Sequence, residues 1–110
     1  MAATITRDDL QTAVKEGSVI VVDALPESYY AQRHLPGALN LVEDEVDAKA
    51  AALLPDRDAA IVTYCSNPAC NNSKAVAARL ERLGYGDVRV YPGGIQDWAE
   101  AGLPTEGTGA

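Results

Sequence analysis

Two thiols five positions apart, Cys65 and Cys70, are the side chains with the most chemistry to offer. They lie within Ile61-Val62-Thr63-Tyr64-Cys65-Ser66-Asn67-Pro68-Ala69-Cys70-Asn71-Asn72-Ser73-Lys74, a run that opens β-branched and apolar and closes in polar, cap-forming residues. The pattern that follows, Ala75 to Leu83, is helical. A thiol between such a strand and such a helix faces unpaired backbone N–H groups and the positive end of the helix dipole, which favour an anion. This setting lowers a cysteine pKa from about 8.5 to about 3.5–7.5. Cys65, where the strand ends, reads as a nucleophilic thiolate in preference to a small buried apolar residue. The polar loop Ser66, Asn67, Pro68, Ala69, Asn71, Asn72, Ser73 and Lys74 is the expected substrate-binding loop, its amides curling around a sulfur-bound anion. Cys70 is either a small loop residue or a resolving thiol that attacks a modified Cys65. The two thiols could exchange roles, and Cys65 is preferred because it terminates the strand.

The elements that must position these residues alternate between strand and helix. Thr4-Ile5 reads as a very short strand. Thr6 caps a helix to about Lys15, with Asp8 and Asp9 in its first turn and Gly17 as its stop. Val19-Ile20-Val21-Val22 is apolar without alternation, as in a parallel strand covered on both faces. Asp23 ends that strand and either supports the pocket or caps the turn that starts at Pro26, the cap being preferred. Pro26 at the first helical position opens a short helix to about Gln32. His34, ahead of Leu35-Pro36-Gly37, reads as a backbone-bonded turn residue rather than a base. Ala38 to Leu41 forms a short strand, Glu43 to Leu54 a helix closed by Pro55, and Val88 to Tyr91 another strand. Pro92-Gly93-Gly94 is a turn that also permits a close approach by ligand, and Ile95 to Ala101 is the last helix, with Trp98 as core. Together they predict a single α/β domain with an open, mostly parallel sheet of about five strands flanked by helices on both faces. Its core runs from about residue 4 to 104, and residues 105–110 form a flexible tail. Ligands of such sheets bind beyond the carboxyl ends of the strands, where Cys65 stands.

The totals exclude several classes. With 110 residues there is one core, and 47% hydrophobic residues without a single Phe make it one of Val, Leu, Ile and Ala. A net charge of −7 argues against nucleic acid or an anionic membrane as partner. No apolar stretch approaches a membrane span or a signal peptide, so the expected location is the cytoplasm. There, two cysteines are thiols or a redox pair before they are a structural staple. Two Cys and one distant His make a poor metal set, and no metal or cofactor is expected.

Three stretches, in this order, resemble the rhodanese domain. Val21-Val22-Asp23 through Tyr30, followed by Arg33-His34-Leu35-Pro36-Gly37-Ala38, is similar to its N-terminal signature. Tyr64-Cys65 after an apolar strand is similar to its active-site cysteine. Gly93-Gly94-Ile95-Gln96-Asp97-Trp98, then Ala101-Gly102-Leu103-Pro104, matches its C-terminal signature. The resemblance implies a central parallel sheet flanked by helices. It also implies a sulfurtransferase whose cysteine takes sulfane sulfur from thiosulfate or a persulfide, holds it as a persulfide, and passes it to a nucleophile. The partners implied are a small-molecule sulfur donor and a thiol acceptor or sulfur-accepting protein.

The departures from that pattern narrow the expectation. The usual loop, C-x-x-G-x-R-S, is here two residues longer and holds no Arg; the nearest cation in the sequence is Lys74. A dianion such as thiosulfate wants charge-assisted donors, which makes a low-molecular-weight or protein persulfide the better donor. Leu25 replaces the usual Arg after the strand Asp, and Arg33 replaces the Gly before His34 as a turn variant. The alternative is a non-catalytic or redox-sensing rhodanese-homology interaction module using the Cys65/Cys70 pair. A phosphatase or arsenate reductase is disfavoured because Asn71 stands where the C-x5-R loop needs Arg.

Overall fold

The computed structural model describes residues 2–109; Met1 and Ala110, the last residue of the expected tail, lie outside the described residues. Five parallel strands form one sheet: β1 (Ala3–Thr4), β2 (Ile20–Asp23), β3 (Leu39–Asn40), β4 (Ile61–Tyr64) and β5 (Val88–Tyr91), in the order β1-β5-β4-β2-β3. The helices are α1 (Arg7–Glu16), α2 (Glu27–Gln32), α3 (Val46–Leu53), α4 (Asn72–Arg82) and α5 (Gly94–Glu100). This is the expected α/β sheet, with β4 at its centre.

Strand alternation sorts the core into two layers. Ile61 and Cys65 face the layer that holds Val46, Ala50, Val76 and Leu80 from α3 and α4. Val62 and Tyr64 face the other, with Leu10 of α1 and Trp98 of α5. Every side chain of β4 is buried, as a strand covered on both faces requires. The Thr63 hydroxyl, on the Cys65 face, donates to the Ser73 carbonyl at 2.9 Å. That bond pins the first turn of α4 to the central strand.

Local capping follows the sequence closely for α1. The Thr6 side chain accepts from the Asp9 N–H, and Gly17 closes the helix in the left-handed region at φ 67°. Elsewhere packing alters the expectation. The stretch expected as one helix from Glu43 begins instead as a 3-10 turn, Glu43–Glu45, before α3 starts at Val46. Four neighbouring acidic residues repel one another there, offset by Arg79, reaching from α4 to Glu43 and Asp47, and by Lys49, which pairs with Glu45. Pro26 sits at the cap position rather than inside the helix, its carbonyl accepting from Tyr29 and Tyr30.

The segment expected to be a flexible tail is held in place. Glu106 forms an antiparallel bridge with His34, and its carboxylate accepts from the Gly37 N–H at 2.9 Å. The Thr108 and Gly109 N–H groups donate to the Ala31 and Gln32 carbonyls. Those are the orphan acceptors that every helix C-terminus leaves, here at the end of α2. Among the described residues no helix is long and apolar enough to cross a membrane.

Candidate active site

Cys65 is the first residue beyond β4, at the carboxyl end of the central strand. It is 2% exposed. Its sulfur lies under the first turn of α4, where the Ser73 hydroxyl is 3.4 Å from Sγ. Cys65 and Cys70 form a disulfide, with Cα atoms 6.4 Å apart. The loop between them is shaped by Asn67. Its Oδ1 accepts from the Ala69 N–H at 2.9 Å, and its carbonyl accepts from the Cys70 N–H at 3.0 Å. This Asx turn brings Cys70 back over Cys65.

The turn has a consequence for the expected ring of amides. Ala69 and Cys70 spend their N–H groups inside the loop, and Pro68 has none. The N–H groups of Asn71, Asn72, Ser73 and Lys74 enter no hydrogen bond among the described residues. The Ser66 and Asn67 N–H groups likewise donate to no partner among the described residues, so the donors available to an anion come from the start of the loop and from the α4 N-terminus. Asn71, at the cap position, makes no side-chain cap. The Asn72 side chain reaches across to the Ala24 carbonyl at 3.4 Å and ties α4 to the end of β2.

The glycine turn holds the loop from the other side. The Ile95 and Gln96 N–H groups donate to the Cys65 and Ser66 carbonyls at 2.9 and 3.0 Å. Gly94, at φ +70°, lies so close that a Cβ there would stand 2.5 Å from the Cys65 oxygen. The close approach that the Gly-Gly turn permits is thus by the cysteine's own backbone. Trp98 is buried, its Nε1–H bonded to the Pro104 carbonyl at 2.8 Å.

Asp23 does not line the cysteine loop. It pairs in register with Tyr64, so its side chain belongs to the face opposite that of Cys65. It is fully buried, with Oδ1 accepting from the Leu25 N–H at 2.8 Å and Oδ2 from the Tyr64 hydroxyl at 2.7 Å. Asp23 therefore does not cap the helix that follows Pro26, which has no side-chain cap; its carboxylate closes the tight turn at Leu25 ahead of it, because the Leu25 N–H is the donor within reach. Burial raises its pKa above the ordinary 3.8; the bonds from Tyr64 and Leu25 and the nearby His34 oppose that rise. Burial and the adjoining Asp23 hold the Tyr64 hydroxyl firmly protonated. His34 is a turn residue, its ring stacked on Tyr30 at 3.9 Å and its Nδ1 2.6 Å from the Tyr30 carbonyl.

Two grooves flank the loop. The larger, about 760 Å³, runs along the β1 edge and is lined by Thr4, Lys74, Ala78, Arg82 and Val90. Lys74 lies there, while no residue of the Cys65–Cys70 loop does. The smaller, about 460 Å³, contains Ser66, the neighbour of Cys65, together with Leu25, Tyr29, Arg33, Ile95 and Gln96. The cation that shares a groove with the cysteine loop is therefore Arg33. Sequence reasoning read Arg33 as a turn variant; the only signal was its departure from the resembling pattern.

A parallel sheet with a cysteine loop between its central strand and the helix α4 defines a cysteine-centred α/β protein. A family model described as the Rhodanese-like domain matches residues 6–101. The chain belongs to the rhodanese-like family. It is 36% identical to a sulfurtransferase of Allochromatium vinosum, over 78% of this chain and 77% of that one. It is 35% identical to an HTH-type transcriptional regulator of Mycobacterium tuberculosis, over 93% of this chain; it spans 44% of the regulator's length. The BH2092 protein of Bacillus halodurans superposes with a TM-score of 0.90 at 30% identity, covering 98% of this chain and 79% of that one.

Proposed function

We propose that this domain is a sulfurtransferase that carries sulfane sulfur on Cys65. The observation that supports this most directly is the position of Cys65: buried at the end of β4, beside the Ser73 hydroxyl and beneath the unpaired amides of the α4 N-terminus. The sulfurtransferase name of its Allochromatium vinosum relative supports the same reading. In the first step the Cys65 thiolate attacks the outer sulfur of a donor R–S–SH. The donor S–S bond breaks, its electron pair leaves with R–S⁻, and Cys65–S–SH forms. In the second step an acceptor thiolate attacks the outer sulfur of that persulfide, restoring the Cys65 thiolate and forming the acceptor persulfide. The donor is a low-molecular-weight or protein persulfide in preference to thiosulfate. The loop holds no Arg to pair a dianion.

Cys70 offers a second exit. Its thiolate can attack Cys65 Sγ of the persulfide, expelling HS⁻ and forming the Cys65–Cys70 disulfide. Two equivalents of a reducing thiol then regenerate the pair and leave as their own disulfide. The disulfide also favours a second reading, in which the domain is a redox-sensing module; a relative that is a transcriptional regulator gives that reading a context.

The test is a donor panel read by intact mass. Wild type, Cys65→Ser and Cys70→Ser are incubated with thiosulfate and with glutathione persulfide. The wild type should gain one sulfur on Cys65 from the persulfide, Cys65→Ser none, and Cys70→Ser should accumulate the adduct. A wild type that gains no sulfur from any donor, while forming the disulfide reversibly, would establish the redox reading instead.

A further inference from the structure

We infer that the groove beside Ser66 is the subsite for a carboxylate-bearing low-molecular-weight thiol of amino-acid or short-peptide type, and that Arg33 binds its carboxylate. The inference deepens the proposed sulfur transfer, in that it names the R group of the donor R–S–SH. The groove has two walls. One is the C-terminal end of α2, with Tyr29, Gln32 and Arg33; the other is α5, with Ile95, Gln96, Ala99 and Glu100. Leu25 and Ser66 complete the lining, and Ser66 is covalently joined to Cys65. A volume of about 460 Å³ suits a molecule of that size, and is generous for a bare inorganic dianion.

The charges of the walls specify the ligand. The chain has 16 acidic and 9 basic side chains, and four of the basic ones sit in ion pairs among the described residues. Arg7 pairs with Asp97, Lys49 with Glu45, Arg79 with Glu43 and Asp47, and Arg89 with Asp87. Arg33 enters no ion pair among the described residues, although Glu100 lines the same groove. The two charges are thus more than bonding distance apart, on opposite walls. A ligand that carries both a carboxylate and an ammonium group satisfies both at once. A planar guanidinium is also suited to a carboxylate in a bidentate geometry.

The uncharged lining fits the same class. Gln32 and Gln96 offer amide donors and acceptors of the kind that pair with peptide groups. The Gln96 side chain already donates to Glu100 at 3.4 Å, which aims the α5 wall. Leu25, Ile95 and the 60% exposed Tyr29 give an apolar surface for the ligand's methylenes. Lys74, the cation that the sequence offers, lies in the other groove and leaves this role to Arg33. In the first transfer step the bound thiol is the leaving group R–S⁻, released beside Ser66 as the sulfur passes to Cys65.

The experiment separates binding from turnover. S-Methylglutathione, which cannot transfer sulfur, is titrated into the intact chain and followed by amide chemical shifts, in parallel with its diethyl ester. The acid should bind the wild type about fivefold more tightly than Arg33→Ala, the size of one exposed ion pair. The ester should bind both alike, and Glu100→Gln should weaken the acid. Shifts should centre on Ser66, Arg33 and Gln96, and Arg33→Lys should recover part of the affinity. With glutathione persulfide as donor, Arg33→Ala should raise KM and leave kcat unchanged. Equal binding of acid and ester by the wild type overturns the inference, as does an Arg33→Ala variant of unchanged affinity, shifts centred on the Lys74 groove, or no binding. If the acid binds through Arg33 but no donor yields a persulfide, the subsite stands and the sulfur-transfer proposal falls.

Discussion

Replacing Gly94 with alanine should disable the site through the backbone. Gly94 adopts φ +70°, and an added Cβ would lie 2.5 Å from the Cys65 oxygen and 2.6 Å from the Ser66 carbonyl carbon. Three costs add. The left-handed conformation costs a non-glycine residue about 1 kcal/mol or a little more. The overlap is with main chain, which cannot swing aside as a side chain does, so the cysteine loop must move away from α5. That movement stretches the bonds from the Ile95 and Gln96 N–H groups to Cys65 and Ser66, each contributing about 1 kcal/mol. The sum is about 3–5 kcal/mol, a large part of the stability of a small domain. Gly102 is the control: its φ is +76°, yet an added Cβ there meets nothing within 4 Å. Gly102→Ala should therefore show the conformational cost alone, about 1 kcal/mol. Urea unfolding of the two variants measures the difference. Persulfide formation on Cys65 in folded Gly94→Ala, expected to be slowed, reports whether the loop has shifted. Equal destabilisation of the two variants would refute the argument that contact with the cysteine backbone makes Gly94 necessary.

Asp23 gives a pH dependence of definite sign. Burial raises its pKa, so the folded chain holds this proton more tightly than the unfolded chain, and the contribution is full below about 3.8 and lost as pH rises through the folded value. The stability of wild type minus that of Asp23→Asn should accordingly fall with rising pH above 3.8, measured by urea unfolding across a pH series; a rising difference would contradict it. Thr63→Val removes the buried donor to the Ser73 carbonyl and should cost about 1–3 kcal/mol, with faster amide exchange in the first turn of α4. Truncation after Thr105 uncovers the Ala31 and Gln32 carbonyls and frees His34 and Gly37. It should lower the thermal midpoint by several degrees, on the order of 1 kcal/mol, whereas a free tail would leave it unchanged.

The strand and helix identities are written locally. The β-branched run at Ile61–Thr63, the Thr6 cap with Asp8 and Asp9, and the glycine stop at Gly17 each act on neighbours within a turn or a strand, so the sequence alone places them. Cys65 at the carboxyl end of a central strand follows from the same signals, because a parallel α/β sheet puts its site there. What tertiary structure decided depends on residues far apart in the chain. Whether Asp23 faces Cys65 is a matter of register between β2 and β4. Pairing Asp23 with Tyr64 sends it to the opposite layer, and a shift of one residue would reverse that. Whether Lys74 or Arg33 shares a groove with Ser66 depends on which groove each helix end overlooks, and α2 and α5 line one groove only on folding. The loop amides were countable in sequence, but their use by Asn67 was not, since side-chain and main-chain acceptors compete for the same donors until geometry chooses. The tail, polar and glycine-rich, carries no local signal for order; its order comes from two helix-end carbonyls that needed partners. Sequence thus determined which thiol stands at the end of the central strand, and long-range packing determined what surrounds it.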